Sequence, residues 1–289
     1  MSHRQSRYAA SIVLLGTLLA TAPAWAQTVT TFSVPGAFHT RAFGINPSGE
    51  IVGIYTPAGP GFRGFQLGAE GLTLIDYPGA VATAPIKINP QGDVVGWYSN
   101  TGAPPFHGFV RHDGMYSTTD VPGATSTLPF GINARGDTVG AYQNADAVFH
   151  AFLIRKGRLT TFDAPGAILT QAVDVNSEGD IVGVYRDASN MFHMFVLGDG
   201  GFTTIDYPGA TATGATTIGV GINPKGEVVG QYRDSANITH GFVLDASGFR
   251  TVDIPGYPTT VLTGVNAEGD IVGRARGTDG RDVGFVIKR

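Results

Sequence analysis

The chain repeats itself six times, and this repeat constrains its fold more than any other feature of the sequence. A Pro-Gly pair recurs at spacings of 43, 44, 43, 43 and 47 residues, and an asparagine and a Val-Gly pair recur in the same register. The asparagines are Asn46, Asn89, Asn133, Asn176, Asn223 and Asn266. Six copies of a unit of about 44 residues predict a repeat architecture in which each unit is one small sheet.

Each unit has the pattern of four short strands. In the fifth unit these include "GIN" at residues 221–223, "EVVGQY" at 227–232 and "HGFVL" at 240–244. The fourth strand of a unit resembles "FTTIDYPG" at residues 202–209. We therefore predict an all-β fold, a six-bladed β-propeller of four-stranded antiparallel blades. A β-solenoid is the alternative, but its coils would be shorter.

The two ends of the chain predict how the ring closes. Residues 28–36, "TVTTFSVPG", have the pattern of a fourth strand, whereas "VGFVIKR" at the end of the chain has that of a third strand. The sixth blade therefore lacks its outer strand, and we expect the N-terminal strand at residues 28–34 to complete that last blade. Such closure leaves no open seam between the first and last blades.

Two recurring residue types have local explanations. Asn-Pro-x-Gly, as at Asn46 and Asn89, suits a type I turn, so the six asparagines are expected to form turns. The glycine of each Val-Gly pair is expected to be crowded by the neighbouring sheet. An aspartate before most Pro-Gly pairs is expected to bind turn amides. These aspartates are Asp76, Asp120, Asp163, Asp206 and Asp253.

With "FHAF" at residues 149–152 and "GIN", "GD.VG" and "D.PGA" around it, the chain resembles the HAF-repeat family of extracellular repeat proteins. The resemblance covers nearly the whole chain after residue 26. It implies export and a repeat fold, and it supplies no catalytic residues. The first and last units depart from the family pattern, because Arg63 and Val283 stand where the family has histidine.

The first 26 residues differ from the rest. Arg4 and Arg7 precede an apolar run that ends in "AWA", which is typical of a signal peptide cleaved before Gln27; an uncleaved anchor is the alternative. We therefore predict a signal peptide at 1–26, a single propeller domain at 27–289, a secreted or periplasmic location and no membrane insertion after cleavage. The mature chain would have no cysteine and 17 basic against 23 acidic residues, a net charge of −6. That balance does not favour nucleic acid as a partner, and we expect a monomer.

Four histidines recur at the start of the third strand, and a tyrosine ends the second strand eight or nine residues earlier. A short hairpin would bring each tyrosine beside its histidine, so we interpret both as structural repeat positions that form hydrogen bonds within a blade. Strands lie about 4.8 Å apart, so the four histidines are too far from the axis to share a metal ion. The pairs are Tyr98 with His107, Tyr142 with His150, Tyr185 with His193, and Tyr232 with His240.

Function is expected where the repeat is broken. Lys87 and Asp174 replace the glycine that four other units carry before "IN" or "VN". They could face each other through channel water, as an ion pair or a small-ligand site, or lie exposed at the lower rim. His39, Arg41 and Gln171 are further candidate ligand-binding residues. Charges on the loops are expected to be solvated, among them Arg274, Arg276 and Arg281.

The sequence has no signature of a nucleophile elbow, a metalloprotease helix or a phosphate loop. We therefore predict a non-catalytic protein, without cofactor or metal, that presents a rigid propeller face to a glycan or protein partner. The alternative is a propeller hydrolase or lyase that acts at the channel mouth on a sugar or lactone-like substrate. That alternative requires His39, Arg41, Lys87 and Asp174 to converge.

Overall fold

The protein is a six-bladed β-propeller, as the repeat predicted. The computed structural model describes residues 17–18, 28–57, 59, 61–214 and 219–289. Six antiparallel sheets follow one another around the ring, and strands that follow one another along a unit are adjacent in its sheet, except that the N-terminal strand joins the last sheet. The first strand of every blade contacts the first strands of the two neighbouring blades, which makes these strands the innermost ring.

Blades 1 to 6 are numbered in chain order by their innermost strands. These are His39–Ile45, Ala82–Ile88, Ser126–Ile132, Ala167–Val175, the pair Ala212–Thr213 and Gly221–Ile222, and Thr259–Val265. The second strands are Ile51–Thr56, Val94–Ser99, Thr138–Gln143, Ile181–Asp187, Val228–Arg233 and Ile271–Arg276. The third strands are Arg63–Gly68, His107–His112, Phe149–Arg155, Phe192–Gly198, Thr239–Asp245 and Asp282–Lys288. The outer strands are Gly71–Ile75, Met115–Thr118, Arg158–Phe162, Gly201–Ile205, Gly248–Val252 and, in blade 6, Thr28–Phe32.

The N-terminal strand completes blade 6. Thr28–Phe32 pairs antiparallel with Asp282–Lys288, in a register that runs from Thr28 opposite Lys288 to Phe32 opposite Gly284. The predicted closure is therefore confirmed, and it joins the two ends of the chain through a shared sheet. A two-residue strand, Thr17–Leu18, pairs with the free edge of Thr28–Phe32. The rest of the predicted signal peptide lies outside the described residues.

Each blade is built around one buried phenylalanine on its third strand. Phe65 lies opposite Gly53, and a Cβ atom on Gly53 would come within 2.9 Å of the Phe65 ring and against the carbonyl oxygen of Arg41. The crowding at Gly53 therefore comes from its own blade, and the expectation that a neighbouring sheet crowds this glycine was wrong there, whereas Gly230 of blade 5 also meets Met194 of blade 4. The equivalent glycines in blades 3, 4 and 6 meet the same two groups; they are Gly140, Gly183 and Gly273.

The axis of the propeller is packed with apolar side chains. Each regular innermost strand has a β-bulge near its middle, for example between Ala42 and Gly44. The residues at this point are buried, and those of blades 1 to 5 belong to one apolar cluster. They are Phe43, Ile86, Phe130, Val173 and Val220. A water-filled channel through the ring is thus replaced by a core.

The six turn asparagines form a closed ring of hydrogen bonds between blades. Asn46 Oδ1 accepts from the Glu50 amide at 2.9 Å, which is the predicted turn role. In addition, the side-chain amide of each asparagine donates to the main-chain oxygen of the asparagine in the next blade, at 3.0 to 3.4 Å. The last bond, from Asn266 to Asn46, closes the circle. We call this side of the propeller the turn end, and the side where the innermost strands begin the mouth.

A threonine performs a comparable task at the mouth. Thr40 Oγ1 accepts from the Val34 amide at 2.9 Å, so it holds the connector that enters blade 1 from the outer strand of blade 6. The sequence analysis missed this residue, although a threonine recurs in register in all six units. The other five are Thr83, Thr127, Thr170, Thr213 and Thr260, with bonds of 2.9 to 3.0 Å.

Candidate functional site

Blades 2 to 5 carry a Tyr-His-Asp unit near the mouth. In blade 3, Tyr142 lies directly opposite His150, and the ring centroids are 5.5 Å apart. His150 Nδ1 is 2.8 Å from Asp163 Oδ2. The expectation that this aspartate binds turn amides was therefore wrong, because its partner is the histidine of the same blade. The other three units are Tyr98-His107-Asp120, Tyr185-His193-Asp206 and Tyr232-His240-Asp253.

A second carboxylate faces the histidine in blade 5. His240 Nε2 is 3.4 Å from Asp234 Oδ2, while its Nδ1 is 2.9 Å from Asp253. Partial burial lowers the pKa of His240, but the hydrogen bonds and charges of the two aspartates outweigh it, so the net shift is upward. Each unit contains a His–Asp hydrogen bond within one blade, and no group of three metal-ligating side chains occurs among the residues that the structure describes.

The unit is altered in the first blade and lost in the last. In blade 1, Arg63 Nη1 lies 3.6 Å from Asp76, so an arginine replaces the histidine and forms an ion pair with the aspartate. In blade 6 the three positions are Ala275, Val283 and Ser33, which are all smaller and carry no charge. Blade 6 therefore has three short side chains where blades 2 to 5 have two rings and a carboxylate.

A cavity of about 450 Å³ opens at this place in blade 6. Ser33 and Val283 line it, together with Phe38 and Tyr257 on its walls. Phe38 is 49 % exposed, and the guanidinium of Arg281 lies 5.2 Å from the centre of its ring. The volume is within the range of small-molecule sites, and an exposed ring beside polar groups is a suitable surface for a sugar.

A cluster of charges borders the cavity at the junction of blades 6 and 1. Asp282 lines the cavity with its side chain buried, and it binds Arg41 from blade 1 at 2.6 Å and Arg276 from its own blade at 2.7 Å. Arg274 approaches the same carboxylate at 3.6 Å. His39 Nδ1 accepts from the Asp282 amide at 3.1 Å. One carboxylate is thus the shared ionic partner of three guanidinium groups.

The electrostatics of this junction cluster follow from that imbalance. Burial raises the pKa of Asp282, but the hydrogen bond from Arg276 and the charges of Arg274 and Arg41 lower it further, so Asp282 is ionised. Burial, followed by the charges of Arg41 and Arg276, lowers the pKa of Arg274 to about 10. Burial also lowers the pKa of His39, which is neutral and accepts a hydrogen bond at Nδ1.

The sequence analysis predicted His39 and Arg41 but missed Asp282, and its expectation of solvated loop charges was wrong for Arg274. Arg274 belongs to a strand, and its side chain is only 17 % exposed. The missed signal is again a broken repeat. Asp282 takes the position that phenylalanine has in four other blades, and the four are Phe62, Phe106, Phe149 and Phe192.

The predicted pair Lys87 and Asp174 lies elsewhere, towards the turn end. Lys87 Nζ is 2.6 Å from Asp174 Oδ2, and both side chains are buried. Asp174 also accepts from the amides of Val175 at 2.9 Å and Ile222 at 3.0 Å. The two residues therefore form a direct buried ion pair beneath a depression of about 80 Å³ that the asparagine turns surround, and they are not exposed at a rim.

The five candidate residues do not converge on one point. His39 and Arg41 meet at Asp282, whereas Lys87 and Asp174 bind each other at the opposite end of the innermost strands. Gln171 is 3 % exposed in blade 4, and its Oε1 has no hydrogen-bond partner among the described residues. The arrangement required by the hydrolase or lyase alternative is therefore not formed.

Comparisons with known proteins identify similar folds only. No family model matches the chain, and no curated protein matches it. Among solved structures, the chain is similar to the SapL1 lectin in complex with alpha methyl fucoside, with 15% identity, a TM-score of 0.57 and coverage of 88% of this chain and 94% of that one.

Two other solved structures are also similar in fold. The fucose-specific lectin from Aleuria aurantia has 12% identity and a TM-score of 0.53 over 88% of this chain and 98% of that one. TolB from Acinetobacter baumannii has 12% identity and a TM-score of 0.56 over 89% of this chain and 65% of that one.

The described residues contain no helix of the length and apolarity that crossing a membrane requires.

Proposed function

We propose that this protein is an exported, non-catalytic propeller that binds a glycan in the cavity of blade 6. The observation that carries the proposal is the loss of the Tyr-His-Asp unit in that blade alone, at the place where the cavity opens. The cavity is part of a closed ring of six blades, which suits a binding role because a preformed site loses little conformational entropy when a ligand binds.

The fold comparisons support the ligand class. SapL1 was solved with alpha methyl fucoside, and the Aleuria aurantia protein is a fucose-specific lectin. The local chemistry agrees with a sugar as ligand, because the cavity combines the rings of Phe38 and Tyr257 with the polar groups of Asp279 and Arg281. The proposed export is supported by the signal-like segment at residues 1–26 and by the resemblance to the HAF-repeat family.

A glycan array followed by calorimetric titration of the purified chain tests this function. We expect at least one glycan to bind, and Ser33→Trp to weaken that binding at least tenfold, because Ser33 is an exposed residue of the cavity lining. Thr203→Trp places the same ring on an exposed position of the outer strand of blade 4, away from the cavity, and should bind as the wild type does. Equal binding by both variants would remove blade 6 as the site.

A further inference from the structure

The surroundings of the cavity are positively charged, although the protein as a whole is acidic. Four arginines and two aspartates lie at the junction of blades 6 and 1, where His39 is neutral, and of these six Arg281, Asp279 and Asp282 line the cavity. This gives a local excess of two positive charges on a chain whose net charge is −4. The six charged residues are Arg41, Arg274, Arg276, Arg281, Asp279 and Asp282.

The arginines still have donors to offer. Each guanidinium has five N–H groups. Arg41 uses only Nε on Asp282, and Arg276 uses Nε and Nη2, as far as the described residues show. Their side chains are 31 % and 42 % exposed, so both are partly open to solvent. Arg274 adds a third positive charge, and its side chain is 17 % exposed.

Asp282 connects this cluster to the cavity, because it lines the cavity and at the same time binds Arg41 and Arg276. Arg41 and Arg276 do not themselves line the cavity, so a ligand would reach their partly exposed side chains by extending from the cavity past Asp282. The planar fork of arginine fits carboxylates with two parallel hydrogen bonds. A second carboxylate would complete the charge balance that Asp282 leaves incomplete.

We propose that the glycan bound in blade 6 is an acidic one, whose sugar carboxylate is held by Arg41 and Arg276 beside Asp282. This inference rests on the proposed function and names the ligand class. It assigns Arg41 and Arg276 as residues that determine specificity, in addition to the residues that line the cavity. The matching residue of blade 5, Arg233, has no such role, because that blade retains its Tyr-His-Asp unit.

Calorimetric titration with matched acidic and neutral ligands tests the proposal. The probes are oligogalacturonate, its neutral galactose counterpart and a sulfated galactan, each added to the purified chain. We expect oligogalacturonate to bind at least tenfold more tightly than the neutral counterpart. Arg41→Gln and Arg276→Gln should each weaken binding of oligogalacturonate and so reduce that preference about tenfold. Arg41→Lys should not restore it, because a lysine lacks the planar fork.

Arg233→Gln is the control, since it removes an arginine at the equivalent strand position of blade 5, and it should leave the preference intact. Thermal unfolding of every variant shows whether each is folded. Equal binding of acidic and neutral ligands overturns the acidic class alone, whereas the absence of any glycan binding overturns the proposed function with it. Tighter binding of the sulfated galactan than of oligogalacturonate overturns the assignment to a carboxylate.

Discussion

Two groups of charges interrupt the repeat, and they differ in how fully their charges are balanced. Lys87 and Asp174 form a one-to-one pair at the turn end, where both side chains are almost completely buried. At the mouth, Asp282 is shared by three arginines, of which Arg41 and Arg276 are about a third exposed or more. The first group is closed to ligands by its own pairing, and the second is incomplete.

This difference suggests a stabilising role for the balanced Lys87–Asp174 pair and a ligand-binding role for the unbalanced cluster around Asp282. A buried pair whose remaining acceptors are filled by backbone amides, as at Asp174, has little left to offer a ligand. A cluster with more donors than acceptors at the edge of a cavity can bind an anion without rearrangement. A charge that breaks a repeat therefore indicates a binding site only where its neighbours leave it unbalanced.

The largest loss of stability is expected when the buried Lys87–Asp174 pair is broken. Lys87→Met leaves Asp174 buried without its cation, and burial already raises the pKa of Asp174 against the opposing effect of Lys87. We expect the free energy of unfolding to fall by about 3–5 kcal/mol, and glycan binding by the folded fraction to be unchanged. Chemical denaturation measures the loss. The double variant Lys87→Met, Asp174→Asn should regain most of it, because no unpaired charge remains; loss of binding at unchanged stability would make the pair a ligand site instead.

Removing the carboxylate of the junction cluster should cost less stability than breaking the Lys87–Asp174 pair, because solvent screens two of the arginines in the cluster. Asp282→Asn leaves three guanidinium groups without a carboxylate, and we expect a loss of about 2 kcal/mol at pH 7. The arginines outweigh burial and hold the pKa of Asp282 below its usual value. Its stabilisation is therefore complete above about pH 4 and is lost as the pH falls through the lower folded-state pKa.

Urea denaturation of wild type and Asp282→Asn at pH 7 and pH 2.5 measures this difference. The difference in stability between the two proteins should be smaller at pH 2.5 than at pH 7. Asp279→Asn is the matched control in the adjacent loop, because its side chain is 62 % exposed, and it should change stability by less than about 0.5 kcal/mol at either pH. A constant difference between wild type and Asp282→Asn at both pH values would contradict the ion-pair account.

The first position of the His motif should affect stability in blade 3, where it is His150, and ligand binding in blade 6, where it is Val283. His150→Phe in blade 3 removes the partner of Asp163, and we expect a loss of about 1 kcal/mol with glycan binding retained, since both groups are partly exposed. Val283→Phe at the same position of blade 6 has no aspartate to orphan, and the larger ring occupies the cavity. It should change stability little and weaken binding at least tenfold. Thermal unfolding measures the stability of both variants, and titration measures their glycan binding. A loss of binding in His150→Phe would indicate that the histidines take part in ligand binding.

The smallest expected effect is the pH dependence of one histidine. Despite partial burial, Asp253 and Asp234 raise the pKa of His240, so its stabilisation is complete below about pH 6.5 and is lost as the pH rises through the higher folded-state pKa. Wild type should exceed His240→Gln in stability by about 0.3 kcal/mol more at pH 6 than at pH 9. Denaturation at the two pH values measures this; an advantage that grew with pH would contradict the raised pKa.

Much of the architecture was predictable because it depends on local spacing. The period of the Asn and Val-Gly markers predicted six blades, and the fourth-strand pattern at residues 28–34 predicted the closure at Asp282–Lys288. The turn role of Asn46 follows from the residues next to it. The position of Tyr142 beside His150 follows from a short hairpin. Each of these relations joins residues that are close in sequence or equivalent in the repeat.

The proposed binding site depends on contacts that the repeat does not specify. Arg41 and Asp282 are 241 residues apart, and only closure of the ring brings them within 2.6 Å. The cavity is a consequence of side chains that blade 6 lacks, and its existence depends on how the neighbouring connectors pack. The sequence by itself determined the scaffold, because local turn and strand preferences repeat six times. The tertiary structure decided which departures from the repeat are buried and balanced and which are open to a ligand, since that depends on distances across the ring.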